Sequence, residues 1–169
     1  MVRRVLAVVV VIITALLLQS TVFAQLRLLG VRPELLYLVT IVVAFVDGPS
    51  DGAIVGFVSG LAQDLILNEP KGILALTLTL LGYTIGMLRQ YIVSPSPLLP
   101  TILVGLGTVG GVVFYAITSY LLGNFDHSTG FALRVALLSG LYNAVLTPIL
   151  FPLLRRVFEG SRPRRVVRF

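Results

Sequence analysis

The sequence predicts an all-α integral membrane protein, a compact bundle of about six transmembrane helices, and three observations carry that prediction. Hydrophobic residues make up 57% of the 169-residue chain and charged residues 12%, about half the charged share of an ordinary soluble domain. Two stretches, Val5 to Phe23 and Leu98 to Leu122, hold no charge, and each is long enough to cross a bilayer. Glycines recur at every fourth position within apolar segments, the spacing at which helices in lipid approach to backbone contact.

The first segment, about 5–23, follows Arg3 and Arg4 and stops before Gln25. Its apolar run exceeds the roughly 7 to 15 residues of a signal-peptide core, so it is read as a permanent helix and not a cleaved leader. The second, about 33–47, opens after Gly30-Val-Arg-Pro33, and the third, about 51–67, after Asp47-Gly-Pro-Ser-Asp51-Gly52. At ~1.5 Å per residue these two reach only about 22 to 26 Å against a hydrocarbon core of about 30 Å. They are either thin spans or a re-entrant pair joined by Gly48-Pro-Ser, and both readings leave the side of each terminus unchanged. The fourth segment, about 73–92, follows Asn68-Glu-Pro-Lys-Gly72, and the fifth, about 98–122, follows Ser94-Pro-Ser-Pro97. The sixth, about 131–154, follows Gly123-Asn-Phe-Asp-His127 and contains Asn143, Pro148 and Pro152. Each proline removes a donor and frees a carbonyl four residues earlier, which predicts a kinked helix held by the Asn143 amide. These short loops leave no soluble domain, so residues 1–157 read as one transmembrane domain and 158–169 as a basic cytoplasmic tail.

The +6 charge fixes the expected orientation. With six spans both termini share a side, and a cytoplasmic placement collects Arg3, Arg4, Arg89, Arg155, Arg156, Arg162, Arg164, Arg165 and Arg168 there. Only Arg27, Arg32, Lys71 and Arg134 fall outside. The tail Ser161-Arg-Pro-Arg-Arg-Val-Val-Arg168 is a topology signal, or in addition a ligand for anionic headgroups. Membrane lipid, not nucleic acid, is the polyanion expected to meet it.

Within the third segment, Gly52, Gly56, Gly60 and Asp64 advance by four and fall on one helical stripe. Each glycine costs about 1 kcal/mol of helix propensity relative to alanine, so the stripe needs a compensating contact, a helix of this chain or of a partner. Gly82 and Gly86 repeat the spacing in the fourth segment, and Gly107 and Gly111 in the fifth. Asp64 lies a turn inside its segment, where an ionised carboxylate must be paired, hydrated or neutralised. Arg134, Lys71 and the backbone N–H groups near Gly72 are its candidate partners, and water at the interface beside Asn68 and Glu69 is the alternative. At the opposite end, Arg89 is expected to pair with Asp47 and Asp51. Asp64, Arg89, Arg134 and Asn143 are thus the polar or charged groups expected to be buried.

Reaction chemistry is not apparent. The sole histidine, His127, sits beside Asp126 with no cysteine or second histidine to complete a metal site. Ser20, Ser59, Ser119 and Ser139 have no histidine or lysine within the spans to activate them. The expectation is a protein that is not an enzyme and takes no cofactor.

Pro33-Glu-Leu-Leu before an apolar span is followed by Gly52-x-x-x-Gly56-Phe-x-x-Gly60-Leu-x-x-Asp64, then Pro70-x-Gly72, Ala75-Leu76 and Leu81-Gly-Tyr-x-x-Gly86-x-x-Arg89. Asn143, Pro148, Pro152-Leu and Arg155-Arg156 complete the order. Over nearly the whole chain this resembles the rod shape-determining protein MreD family, with Glu69 and Lys71 charging a loop that in the family is often small and neutral. The resemblance implies a bacterial inner-membrane scaffold of the cell-wall elongation machinery that partners MreC. Through MreC it implies MreB, the glycosyltransferase RodA and a class B penicillin-binding protein. That family is in turn similar to the S components of energy-coupling-factor vitamin transporters, which supplies both an expected fold and an alternative function. Short outer loops, absent tryptophan and few mid-membrane polar groups weigh against a vitamin pocket.

Overall fold

The computed structural model describes residues 2–25, 30–31, 33–66, 72–92, 96, 98–123 and 129–160. Arg27, Arg32, Asn68, Glu69, Lys71, Asp126, His127 and the tail 161–169 lie outside the described residues. Six helices occur among the described residues: α1 (Val2–Gln25), α2 (Leu35–Asp47), α3 (Pro49–Ile66), α4 (Ile73–Gln90), α5 (Leu99–Leu121) and α6 (Thr129–Gly160). By length and composition α1, α4, α5 and α6 can each cross a membrane. The 13-residue α2 is apolar but shorter, and α3 is diluted by its glycine, serine, glutamine and aspartate residues.

Side-chain contacts fix the packing as antiparallel at each sequential pair they connect. Arg4 meets Asp47 while Gln19 meets Glu34, so α1 runs against the direction of α2. The α3 and α4 glycines face each other in reverse order, and Gly105 and Gly140 relate α5 to α6 in the same sense. Two turns depend on glycine conformation. Gly48 has φ 101° and donates its N–H to the Ala44 carbonyl at 3.0 Å, which reverses the chain between α2 and α3 in a single residue. Gly72, with φ 98°, precedes α4. Both conformations are strained for residues with a Cβ.

The core is built around α2. Every residue of this helix except Phe45 and Asp47 is buried, and it touches all five other helices. Leu36, Leu38, Ile41, Val42 and Val43 form its densest part, with Leu78 of α4 and Val104 of α5 against them. A segment apolar on every face is stable only when enclosed. By contrast 17% of the apolar window of α1 is buried, which makes α1 the most peripheral helix of the bundle. α6 is longer than the sequence suggests. It continues past 154 because Leu154 and Phe158 are both buried, so the first residues of the expected tail, 158–160, are helical. It also continues through Pro148 and Pro152, both on its exposed side.

Candidate functional site

The glycine stripe of α3 is occupied by α4. A Cβ at Gly56 would overlap the Leu78 carbonyl, one at Gly60 would lie 2.5 Å from the Ala75 Cα, and one at Gly52 would lie 2.8 Å from the Gly82 oxygen. The fit is reciprocal, since a Cβ at Gly82 would strike the Gly52 carbonyl and one at Gly86 the Pro49 backbone. Advancing a turn along α3 retreats a turn along α4, so the two backbones touch along the length of the seam. Of the two occupants the sequence leaves open, the fold supplies the internal one. In α5, Gly107 and Gly111 work differently. Each leaves a socket for a side chain of α2, Ile41 and Tyr37 respectively.

Asp64 closes this seam at the end where α3 finishes. It is 1% exposed, and its Oδ2 accepts the Gly72 N–H at 2.9 Å and the Ala75 N–H at 3.1 Å. The carboxylate therefore caps α4 from another helix, at the terminus where the orphan N–H groups and the macrodipole favour an anion. The left-handed Gly72 turns its N–H into that position. Asp64 Oδ1 is buried without a hydrogen-bond partner among the described residues. Arg134, expected to be buried and a candidate partner of Asp64, is instead exposed on α6. The α4 backbone takes its place, with the Gly72 and Ala75 N–H groups directed at the carboxylate.

A second polar set joins four elements. Asn143 on α6 is fully buried, and its Nδ2 donates to the Glu34 main-chain oxygen at 2.8 Å and to Thr108 Oγ1 at 3.0 Å. Gln19 Nε2 of α1 donates to Glu34 Oε2 at 2.9 Å. Asn143 thus ties α6 to α5 and to the residue preceding α2, in low dielectric where a lost partner is costly. Asn143→Leu is expected to lower the unfolding free energy by about 2 to 4 kcal/mol, and Thr108→Val by about 1 kcal/mol. Denaturant unfolding in mixed micelles reads both, and equal stability of Asn143→Leu and wild type would refute the tie.

At the end carrying the termini the charges are arranged otherwise than expected. Arg4 of α1 meets Asp47 at 3.2 Å and Asp51 at 3.0 Å, and the side chain of Asp47 is 3% exposed. Asp47 lies at the C-terminus of α2, where the dipole disfavours an anion, so a cation from a neighbouring helix offsets an unfavourable placement. Arg89 does not take that role. It is exposed, with its guanidinium 5.1 Å from the centroid of the Phe45 ring, which itself packs edge-on against Phe151 at 5.7 Å. The sequence places all four charged residues at one end of the bundle, but the Arg89 side chain turns onto the Phe45 ring while that of Arg4 reaches both carboxylates.

Several residues of these sets are not singled out by the sequence. Gln19 and Thr108 are polar positions within uncharged runs, Glu34 enters only as part of Pro33-Glu-Leu-Leu, and Gly140 packs against Val109 and the Gly105 oxygen without a Gly-x-x-x-Gly spacing of its own. A polar residue inside an uncharged run is the signal that marks Gln19 and Thr108.

The family model described as the rod shape-determining protein MreD matches residues 2–157, a stretch that takes in the glycine seam, Asp64 and Asn143. The chain belongs to the MreD family. No curated protein and no solved structure matches it. MreD family membership assigns the chain to the rod shape-determining system of the cell, and its four long apolar helices make it a membrane component of that system.

Proposed function

We propose that this chain is a non-catalytic scaffold of the bacterial cell-wall elongation complex, a single transmembrane domain over residues 1–157 with both termini and the basic tail 158–169 on the cytoplasmic side of the inner membrane. It binds MreC, and through MreC associates with MreB, RodA and a class B penicillin-binding protein. The observation that carries this reading is the MreD family match over 2–157. The architecture supports it: the polar groups described above are spent on joining helices, through capping, bridging and ion pairing, and a bundle fixed in this way offers a rigid surface to partners. α2 and α3 complete the six crossings, the shortness of α2 offset by its enclosure within the other helices. An arrangement like that of S components is the expected relation to other folds.

Because α4 fills the glycine seam, MreC meets the bundle elsewhere. Photo-cross-linking residues at the exposed positions Leu17, Tyr83, Leu106 and Val145 report which side of the bundle it takes. The deciding experiment is a pull-down of tagged protein from mildly solubilised native membranes. Recovery of MreC with the wall synthases is the expected result. Recovery of a transporter's coupling subunit and ATPases would overturn it in favour of a vitamin-uptake S component.

A further inference from the structure

Between α1, α2 and α6 the bundle leaves a groove of about 170 Å³. Ala15, Leu38, Val39 and Leu154 form its buried floor, and Val10 and Leu153 stand exposed at its rim. The one polar side chain in its lining is Thr14, whose hydroxyl already donates to the Val10 carbonyl at 2.7 Å. No side chain in the groove is left wanting a hydrogen-bond partner, so the occupant that suits it is hydrocarbon. Its size favours a single chain. A cavity of about 150 Å³ holds one benzene ring, so this groove takes a similar number of carbons, whereas a helix is about 10 to 12 Å across. Left unfilled, the floor would forfeit its dispersion contacts.

The charges of α1 indicate what heads that chain. Arg4 is committed to Asp47 and Asp51, whereas Arg3 is exposed and makes no ion pair among the described residues. Arg3 precedes Val10 by seven residues and Thr14 by eleven, close to two and three helical turns, which puts it on the groove's face of α1, about 10 Å beyond Val10. At the same end of the bundle, α6 contributes Val157 to the groove wall and carries the exposed Arg156 beside it. An apolar groove leading up to an unpaired cation is complementary to an anion that carries a hydrocarbon chain.

We infer that this groove binds one anionic phospholipid, with an acyl chain laid on the floor and the phosphate at Arg3. A lipid then fills the space between α6 and α1, the most peripheral helix. The inference rests on the chain being a membrane protein, and neither on the scaffold reading nor on which leaflet the termini face.

The test uses the full-length protein in bilayers of phosphatidylcholine mixed with phosphatidylglycerol whose acyl chains are brominated, a quencher of tryptophan on contact. The chain has no tryptophan, so Leu153→Trp installs a single indole at the rim. Its quenching is expected to report about a fivefold preference for phosphatidylglycerol over phosphatidylcholine, the worth of one cation near an anionic headgroup. Arg3→Gln should bring the preference close to one, and Arg3→Lys should retain most of it. Ala15→Phe, which fills the floor, should abolish it with Arg3 intact. The same indole placed instead at Leu106, exposed on α5, should show no preference, and removal of residues 161–169 should leave the preference at the rim unchanged. No preference at the rim, an equal preference at position 106, no response to either Arg3→Gln or Ala15→Phe, or equal loss in Arg3→Lys and Arg3→Gln would each overturn the site. Loss of the preference on removing 161–169 would also overturn it, by assigning the selectivity to the tail.

Discussion

Gly56→Leu is expected to lower the unfolding free energy by about 3 kcal/mol or more, at the upper end of what overpacking costs. Most overpacked sites relax when a side chain rotates aside. Here the obstacle is the Leu78 peptide itself, so relief requires α3 and α4 to part, and with them Gly60 from Ala75 and Gly52 from Gly82. Gly110 provides the control. It also lies within a helix, but a Cβ there would meet nothing within 4 Å. Gly110→Leu should therefore be neutral, or stabilising by up to about 1 kcal/mol through helix propensity. Unfolding by dodecyl sulfate in mixed micelles, followed by circular dichroism, compares the two. Coincident transitions would show that the backbones are not in contact.

The second large effect is expected at Asp64. Asp64→Leu removes the acceptor of two backbone N–H groups in a buried setting and should cost about 3 kcal/mol, because bonds to an ionised acceptor are the stronger kind. Asp64→Asn retains a carbonyl oxygen for Gly72 and Ala75 and should cost roughly 1 kcal/mol. Amide hydrogen exchange localises the effect. In the leucine variant the Gly72 and Ala75 amides should exchange faster, while those in the middle of α5 stay protected. If asparagine proves as damaging as leucine, the negative charge and not the hydrogen bonding is what α4 requires.

Much of this architecture was legible in one dimension. Uncharged runs and Gly/Pro turns locate all six helices to within a few residues, because crossing or lining a bilayer demands continuous apolar stretches. The end of α6 was not, since Arg155 and Arg156 resemble an exit from lipid while Phe158, one turn on, is buried. Four-residue spacing marks the face that Gly52, Gly56 and Gly60 share, but not the helix that covers it. That depends on register with Gly82 and Gly86, a tertiary property. Likewise the charges at the end bearing the termini were visible, yet the choice of Arg4 over Arg89 as the partner of Asp47 depends on side-chain direction in the fold, where Arg89 turns onto Phe45. The groove between α1, α2 and α6 was the least legible feature. Leu38, Ala15 and Leu154 come from three different helices, and each taken singly looks like part of an ordinary apolar span.

The enclosure of α2 carries a consequence for how the protein is made. At 13 residues it is about 20 Å long, too short to be held in the bilayer by lipid alone. Yet it leaves the ribosome second, well before α4, α5 and α6, the helices that wall it in. Synthesis runs from one end of the chain to the other, whereas the bundle closes from its periphery onto its centre. α2 must therefore wait beside α1 and α3 until the last three helices arrive, and the chain is not irreversibly committed to the membrane in its final form before α6 has been translated.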